Sequence, residues 1–181
     1  MNPLSSAGPA PSEPDPMTGP DKSRLDRIIV GLDGSPDSLR AAEFAALLAS
    51  RTDAEVIGIH AMGLLDAWGD DSSSGKHLSE SRERMHAQLD GPWRQPFVDA
   101  ASRHRVVLLD GNPVLVLLSA SLEFDADLIV VGSKGAGGLA EQLTGSTSTQ
   151  LSQRSTIPVV VVPSPHPGRL ASGTAAGVAG G

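Results

Sequence analysis

Cysteine is absent from all 181 residues, which excludes disulfides, thiolate catalysis and cysteine-ligated metals. The absence fits a reducing compartment. Tyrosine is also absent, and aromatics make up only 3% of the chain, too few for a platform on which bases stack. Basic charge is scarce: 14 Lys and Arg stand against 21 Asp and Glu, a net charge of −7. Proteins that grip phosphate backbones carry a basic face, so nucleic acid is not an expected partner; a local basic cleft remains open. Long apolar runs are missing too. Leu128–Val131 and Ile157–Val162 fall far short of the roughly 20 residues a spanning helix needs, so no membrane partner is expected. The first residues lack the basic, apolar and small-residue blocks of a secretory leader, and the prolines from Pro3 to Pro20 would break such a helix. The expected location is the cytoplasm.

Proline and glycine are concentrated at the ends. Six of the 14 prolines fall within residues 1–24, and residues 164–181 hold five glycines and two prolines. Neither stretch carries enough apolar surface to offset the entropy of ordering it. Both are expected to be disordered tails. Between them, residues 25–163 form one expected domain, long enough for a single core.

That domain alternates strand and helix signals. Arg27-Ile-Ile-Val-Gly-Leu32 is a short apolar run closed by Asp33-Gly34-Ser35-Pro36, as expected of a buried strand and its turn. Ser35 suits a helix cap and Pro36 the first helical position. Leu39, Ala42, Phe44, Ala45, Leu47 and Leu48 then form a broad apolar helical face. Ala54–His60 reads as a second strand and Lys76–Leu89 as a helix interrupted near Gly91-Pro92 and Pro96. His104–Leu109 is the third strand. Gly111-Asn-Pro113 opens a helix to about Phe124, and Asp127–Gly132 is the fourth strand. A helix from Ser146 to Arg154 and a strand Ile157–Val162 close the series. Five strands separated by helices imply parallel pairing with right-handed crossovers. The expected fold is α/β, a three-layer, doubly wound open sheet in one domain. Chemistry in such sheets gathers outside the carboxyl ends of the strands.

One segment at such an end has the chemistry of a phosphate site. Gly132 ends the fourth strand, Gly135 follows, and nine residues later Gly145-Ser146 opens a helix. Glycines let backbone N–H groups approach closely, and a helix amino terminus offers unpaired donors at the positive end of its dipole. Ser146, Thr147 and Ser148 add hydroxyls. Thr147 and Gln150 also fit a capping box, so an ordinary glycine-rich loop before a capped helix is an equal reading of these residues. The spacing is neither a P-loop nor a dinucleotide fingerprint. Asp33 suits either a ribose hydroxyl or its own turn, and Lys134 either a phosphate or solvent. His60 reads as a packing residue at a strand end. The other histidines are scattered, with His77 and His86 nine apart, and no metal site is expected. Asp70-Asp71 reads as a solvated loop.

The pattern Gly132, Gly135, Gly145-Ser146 resembles the nucleotide motif of the universal stress protein family: Gly, two residues, Gly, nine residues, Gly-Ser/Thr. Other landmarks resemble the family in the same order. They are Ile28-Ile-Val-Gly-Leu-Asp33-Gly-Ser35, Ile59-His60-Ala61, Gly111-Asn-Pro113 and Pro158-Val-Val-Val-Val-Pro163. The resemblance covers about residues 25–163. It implies a flavodoxin-like or Rossmann-like sheet of order 3-2-1-4-5 that binds ATP, with Mg²⁺ only through the nucleotide, between the first and fourth strands. It further implies an adenosine near Gly31, Leu32, Asp33, Ala61 and Val131. The phosphates would lie on Gly132, Lys134, Gly135, Gly145, Ser146, Thr147 and Ser148. Two positions depart from the family's habit: Ala136 stands where Arg is frequent and Ala61 where Val is common. The resemblance also implies a homodimer through the closing strand, Ile157–Val162, whose apolar edge invites pairing.

No catalytic constellation is legible: there is no Gly-x-Ser-x-Gly elbow and no cysteine nucleophile. The expected function is therefore a nucleotide-dependent regulatory module of stress response, not an enzyme, with at most slow hydrolysis. The alternatives are an AMP- or cAMP-binding protein, a slow ATPase, or a dimeric interaction module independent of nucleotide.

Overall fold

A computed structural model describes residues 24–63, 74–135 and 146–165. Nearly all of the two expected tails, the acidic residues 70–73 and the glycine-rich residues 136–145 lie outside them. The described chain alternates β1 (Arg27–Gly31), α1 (Pro36–Thr52), β2 (Glu55–Met62), α2 (Ser74–Gln88), α3 (Gln95–Asp99), β3 (His104–Asp110), α4 (Pro113–Glu123), β4 (Leu128–Gly132), α5 (Ser146–Arg154) and β5 (Val159–Val162). The five strands form one sheet in the order β3-β2-β1-β4-β5. Every pairing is parallel, with Val30 beside Gly58 on one side and Val130 on the other. This is the expected doubly wound architecture and order.

Alternation along the strands divides the core into two layers. Ile28, Val30, Val56, Leu128 and Val130 face α1 and the α2–α3 region. Ile29, Ile57, Ile59, Ile129 and Val131 face α4 and α5. Both layers are needed because a parallel sheet is covered on both faces, which explains the continuous apolar runs of β1 and β4.

Three expectations are corrected in detail. The buried face of α1 is an alanine stripe of Ala41, Ala42, Ala45, Ala46 and Ala49. Phe44 and Leu47, assigned to the apolar face, are instead 40% and 49% exposed, because the helical turn places them on the side away from that stripe. β2 runs on past His60 to Met62, which pairs with Asp110. β5 begins at Val159 and not at Ile157, since Pro158 has no N–H for the ladder and contributes only its carbonyl, which accepts from Ile129. The interruption expected at Gly91-Pro92 is a five-residue π-type turn, Leu89–Trp93, with Gly91 at φ −111° and ψ −113°. It keeps Leu89, Trp93 and Phe97 on one side, all buried in the α1 layer.

Candidate functional site

The chain changes face between β1 and β4. α1 leaves β1 over one layer, and α4 leads into β4 over the other, so a crevice forms at their carboxyl ends. Gly31, Ala61 and Val131 lie at the ends of three adjacent strands, each two residues beyond an isoleucine of the α4 layer. A Cβ on Gly31 would stand 3.1 Å from Val131 Cγ1 and 3.2 Å from Leu117 Cδ1. Leu32 is turned the other way and buried in the α1 layer. Its N–H donates to the Ile59 carbonyl at 2.8 Å, and its carbonyl meets His60 Nδ1 at 2.7 Å. The half-buried His60 ring also stands edge-on to Trp93, 5.1 Å between centroids. His60 is thus a packing residue, as expected. Among the described residues no group of three His, Asp or Glu is arranged to hold a metal.

The acidic turn after β1 and the glycines after β4 meet in space, although about 100 residues separate them. Asp33 Oδ1 accepts from the Ser35 N–H at 3.0 Å, so one carboxylate oxygen holds the turn. Gly34 completes that turn at φ +76°, with the Trp93 ring directly against it. A Cβ on Gly135 would stand 2.6 Å from Asp33 Oδ2, so glycine is what allows this approach. Ser35 caps α1 by accepting from the Ser38 N–H at 3.1 Å, and its hydroxyl donates to the Lys134 carbonyl at 3.2 Å. The Lys134 side chain is exposed.

A residue that sequence reasoning missed organises this junction. Asp37, in the first turn of α1, is only 6% exposed. Its Oδ2 accepts from the Ser133 hydroxyl at 2.7 Å, the Ser164 hydroxyl at 2.7 Å and the Lys134 N–H at 3.2 Å. Its Oδ1 accepts from the Arg40 guanidinium. Burial works against its charge, but the hydrogen bonds from Ser133 and Ser164 and the neighbouring Arg40 prevail and hold its carboxyl below the ordinary value. Gly132 packs directly on it: a Cβ there would stand 2.6 Å from the Asp37 carbonyl carbon. The available signal was weak. An acid in a first helical turn reads as a dipole-favoured charge, and its serine partners lie 96 and 127 residues away.

Two N–H groups at the start of the glycine motif are therefore engaged internally. Ser133 donates to the Val162 carbonyl at 2.9 Å and Lys134 to Asp37. The remaining expected phosphate positions gather at α5. Ser146 opens that helix, Thr147 is half-buried in its first turn, and Ser148 is 6% exposed. Thr147 is thus one residue inside the helix, which leaves it out of register for the capping box. Gly145 lies outside the described residues. Small residues at Gly31 and Ala61, a carboxylate acceptor at Asp33, a glycine approach at Gly135 and a helix amino end at α5 are residue types that suit an adenine nucleotide.

The sheet order and the crevice define a doubly wound, flavodoxin-like α/β domain. Within that class the chain belongs to the universal stress protein family, whose model matches residues 24–163. A universal stress protein of Mycobacterium tuberculosis is 35% identical over 163 residues, 86% of this chain and 48% of the relative. One from Mycolicibacterium smegmatis is 33% identical over 138 residues, 75% of this chain and 45% of the relative. The chain spans about half the length of these curated relatives. Among solved structures, UspA from Lactobacillus plantarum superposes with a TM-score of 0.65 at 24% identity, covering 77% of this chain and 99% of the other. A universal stress protein solved in complex with cAMP superposes with a TM-score of 0.61 at 28% identity, covering 77% and 98%.

Proposed function

We propose that this chain binds an adenine nucleotide, ATP with Mg²⁺, in the crevice between β1 and β4. It acts there as a nucleotide-dependent regulatory module of stress response, with at most slow hydrolysis. The functional unit is residues 25–163, with 1–24 and 164–181 as appended tails, working in the cytoplasm as a homodimer. The observation that carries the reading is the meeting of Asp33 with Gly135 at the switch point, with a Cβ position 2.6 Å from the carboxylate. In this reading Gly31, Ala61 and Val131 wall the adenosine and Asp33 takes ribose hydroxyls. Gly135, Gly145, Ser146, Thr147 and Ser148 hold the phosphates, with Lys134 at their edge. Bound nucleotide biases the loop after Gly135, and a partner reads that state.

A second reading, a one-phosphate ligand such as AMP or cAMP, draws on two observations. The engaged Ser133 and Lys134 N–H groups reduce the donors left for a polyphosphate, and the neighbour at 28% identity was solved with cAMP. Thermal unfolding with Mg-ATP, AMP and cAMP, after identification of any co-purified nucleotide, separates the two. Ligand at 100 times Kd adds about 2.7 kcal/mol, which raises the midpoint by roughly 5–10 °C. Gly145→Glu is expected to abolish the shift, and Asp33→Asn to weaken it while keeping an acceptor for the Ser35 N–H. No shift with any of the three, and no nucleotide in the extract, would refute the reading and move the weight to a nucleotide-independent dimer surface. Turnover of about 1 s⁻¹ or faster would make the chain an enzyme and overturn the regulatory role.

A further inference from the structure

We propose that Asp37 is a positioning residue for the nucleotide crevice: its buried carboxylate sets where the segment Gly132–Gly135 leaves the sheet, and through that segment sets nucleotide affinity. The inference rests on the nucleotide reading above and adds to it a residue that the glycine motif does not contain.

The geometry is a hub joining three chain segments. Asp37 belongs to the amino end of α1, Ser133 and Lys134 to the exit of β4, and Ser164 to the residues after β5. Three donors converge on Oδ2 and the Arg40 guanidinium on Oδ1. The Ser164 N–H also donates to the Ser133 hydroxyl at 3.2 Å, which closes a ring of hydrogen bonds on the carboxylate. Because its two oxygens are so fully engaged and it is 6% exposed, Asp37 shows little charge to a ligand in the crevice. Its action is on the backbone. The Lys134 peptide is held from both sides, its N–H by Asp37 and its carbonyl by the Ser35 hydroxyl. The next residue is Gly135, which passes against Asp33. Loss of the carboxylate releases the Lys134 N–H and leaves the peptide held only at its carbonyl by Ser35, and Gly135 then no longer meets Asp33 in one fixed place. Binding would have to order that segment first, and affinity falls by the fraction of molecules that are competent. A carboxylate suits the task better than a neutral acceptor. It has about four lone-pair sites for four donors, and it stands at the positive end of the α1 dipole. Ser164 extends the hub to the residues that follow β5.

The test compares Asp37→Ala, Asp37→Asn and Ser133→Ala in the full chain. Calorimetric titration uses Mg-ATP and cAMP at a temperature where each variant is fully folded by circular dichroism. For whichever probe the parent chain binds, Asp37→Ala is expected to weaken Kd about tenfold or more, the equivalent of about 1.4 kcal/mol. Asp37→Asn, which keeps one acceptor oxygen but loses the other and the charge, is expected to recover only part of that loss, and Ser133→Ala to weaken Kd several-fold. A merely structural role would lower the unfolding midpoint and leave Kd alone. Folded Asp37→Ala with Kd within twofold of the parent would overturn the proposal. Where Asp37→Ala does not fold, unchanged Kd in both Asp37→Asn and Ser133→Ala would do the same. A parent chain that binds neither probe ends the nucleotide reading and, with it, the affinity role. In that case amide exchange reads the positioning directly: Asp37→Asn is expected to speed exchange at Lys134 while Ser133, bonded to Val162, stays protected. Equal exchange at Lys134 in parent and variant would leave Asp37 no positioning role.

Discussion

Gly34 shows how a single residue is constrained from two directions. Its φ of +76° lies in the left-handed region, and a Cβ would stand 2.4 Å from Trp93 Cζ2. Left-handed backbone costs a residue with a Cβ about 1–2 kcal/mol, and forcing a methyl into a packed ring adds about 1–3 kcal/mol. Gly34→Ala is therefore expected to lower the unfolding midpoint by roughly 5–15 °C, with a change in the fluorescence of Trp93. An unchanged midpoint would mean that the Trp93 contact yields without cost. Gly132 and Gly135 are constrained by close approach instead, the first to the Asp37 backbone and the second to the Asp33 carboxylate. Two motif glycines that look like ligand contacts from spacing alone thus have a packing reason as well.

At the scale of elements, α1 joins the two halves of the crevice. Ser35 caps it, Pro36 starts it and Asp37 binds the exit of β4 from within its first turn. The depressed titration of Asp37 has a consequence with a definite sign. A carboxylate whose folded value lies below its unfolded one adds stability above the unfolded value and loses it as pH falls through the folded one. The gap in unfolding midpoint between the parent chain and Asp37→Asn is thus expected to be largest near neutral pH and to narrow as pH falls below about 4, toward the lower folded value. Midpoints recorded at neutral, weakly acidic and strongly acidic pH check this. A gap that persists undiminished at pH 3 would mean that the charge on Asp37 is not what stabilises the hub. The alanine stripe of α1 belongs to the same scale. It packs with Leu128 and Val130 of β4, the strand whose exit Asp37 holds through Ser133, while Phe44 and Leu47 lie on the far side.

For the whole molecule, β5 is the last strand of the sheet, and among the described residues no strand pairs with its outer edge. Val161 is 37% exposed there, and Val159, Val160 and Val162 are half-buried. An apolar edge of this kind is a template for pairing with another strand. In the homodimer reading, Val161→Lys is expected to shift the chain from dimer to monomer in sedimentation velocity at micromolar concentration, while circular dichroism stays unchanged. A parent chain that already sediments as a monomer would overturn that reading.

Sequence alone determined the elements, their alternation and the glycine motif. β1 and β4 were legible because strands buried on both faces are unbroken apolar runs. The break after α2 was legible because Gly91-Pro92 cannot continue a helix. Asp33, Gly132 and Gly135 were legible as candidates because turn chemistry and spacing are local properties. Tertiary structure alone decided which side of α1 is buried, where β2 and β5 begin and end, and which polar atoms share the junction. The Phe44 and Leu47 positions show why: apolar residues run around much of α1, and only its packing on the sheet fixes which side turns inward. Asp37 shows it again. Its bonds close across 96 and 127 residues, and such contacts follow from sheet order and register, which no local pattern of residues encodes.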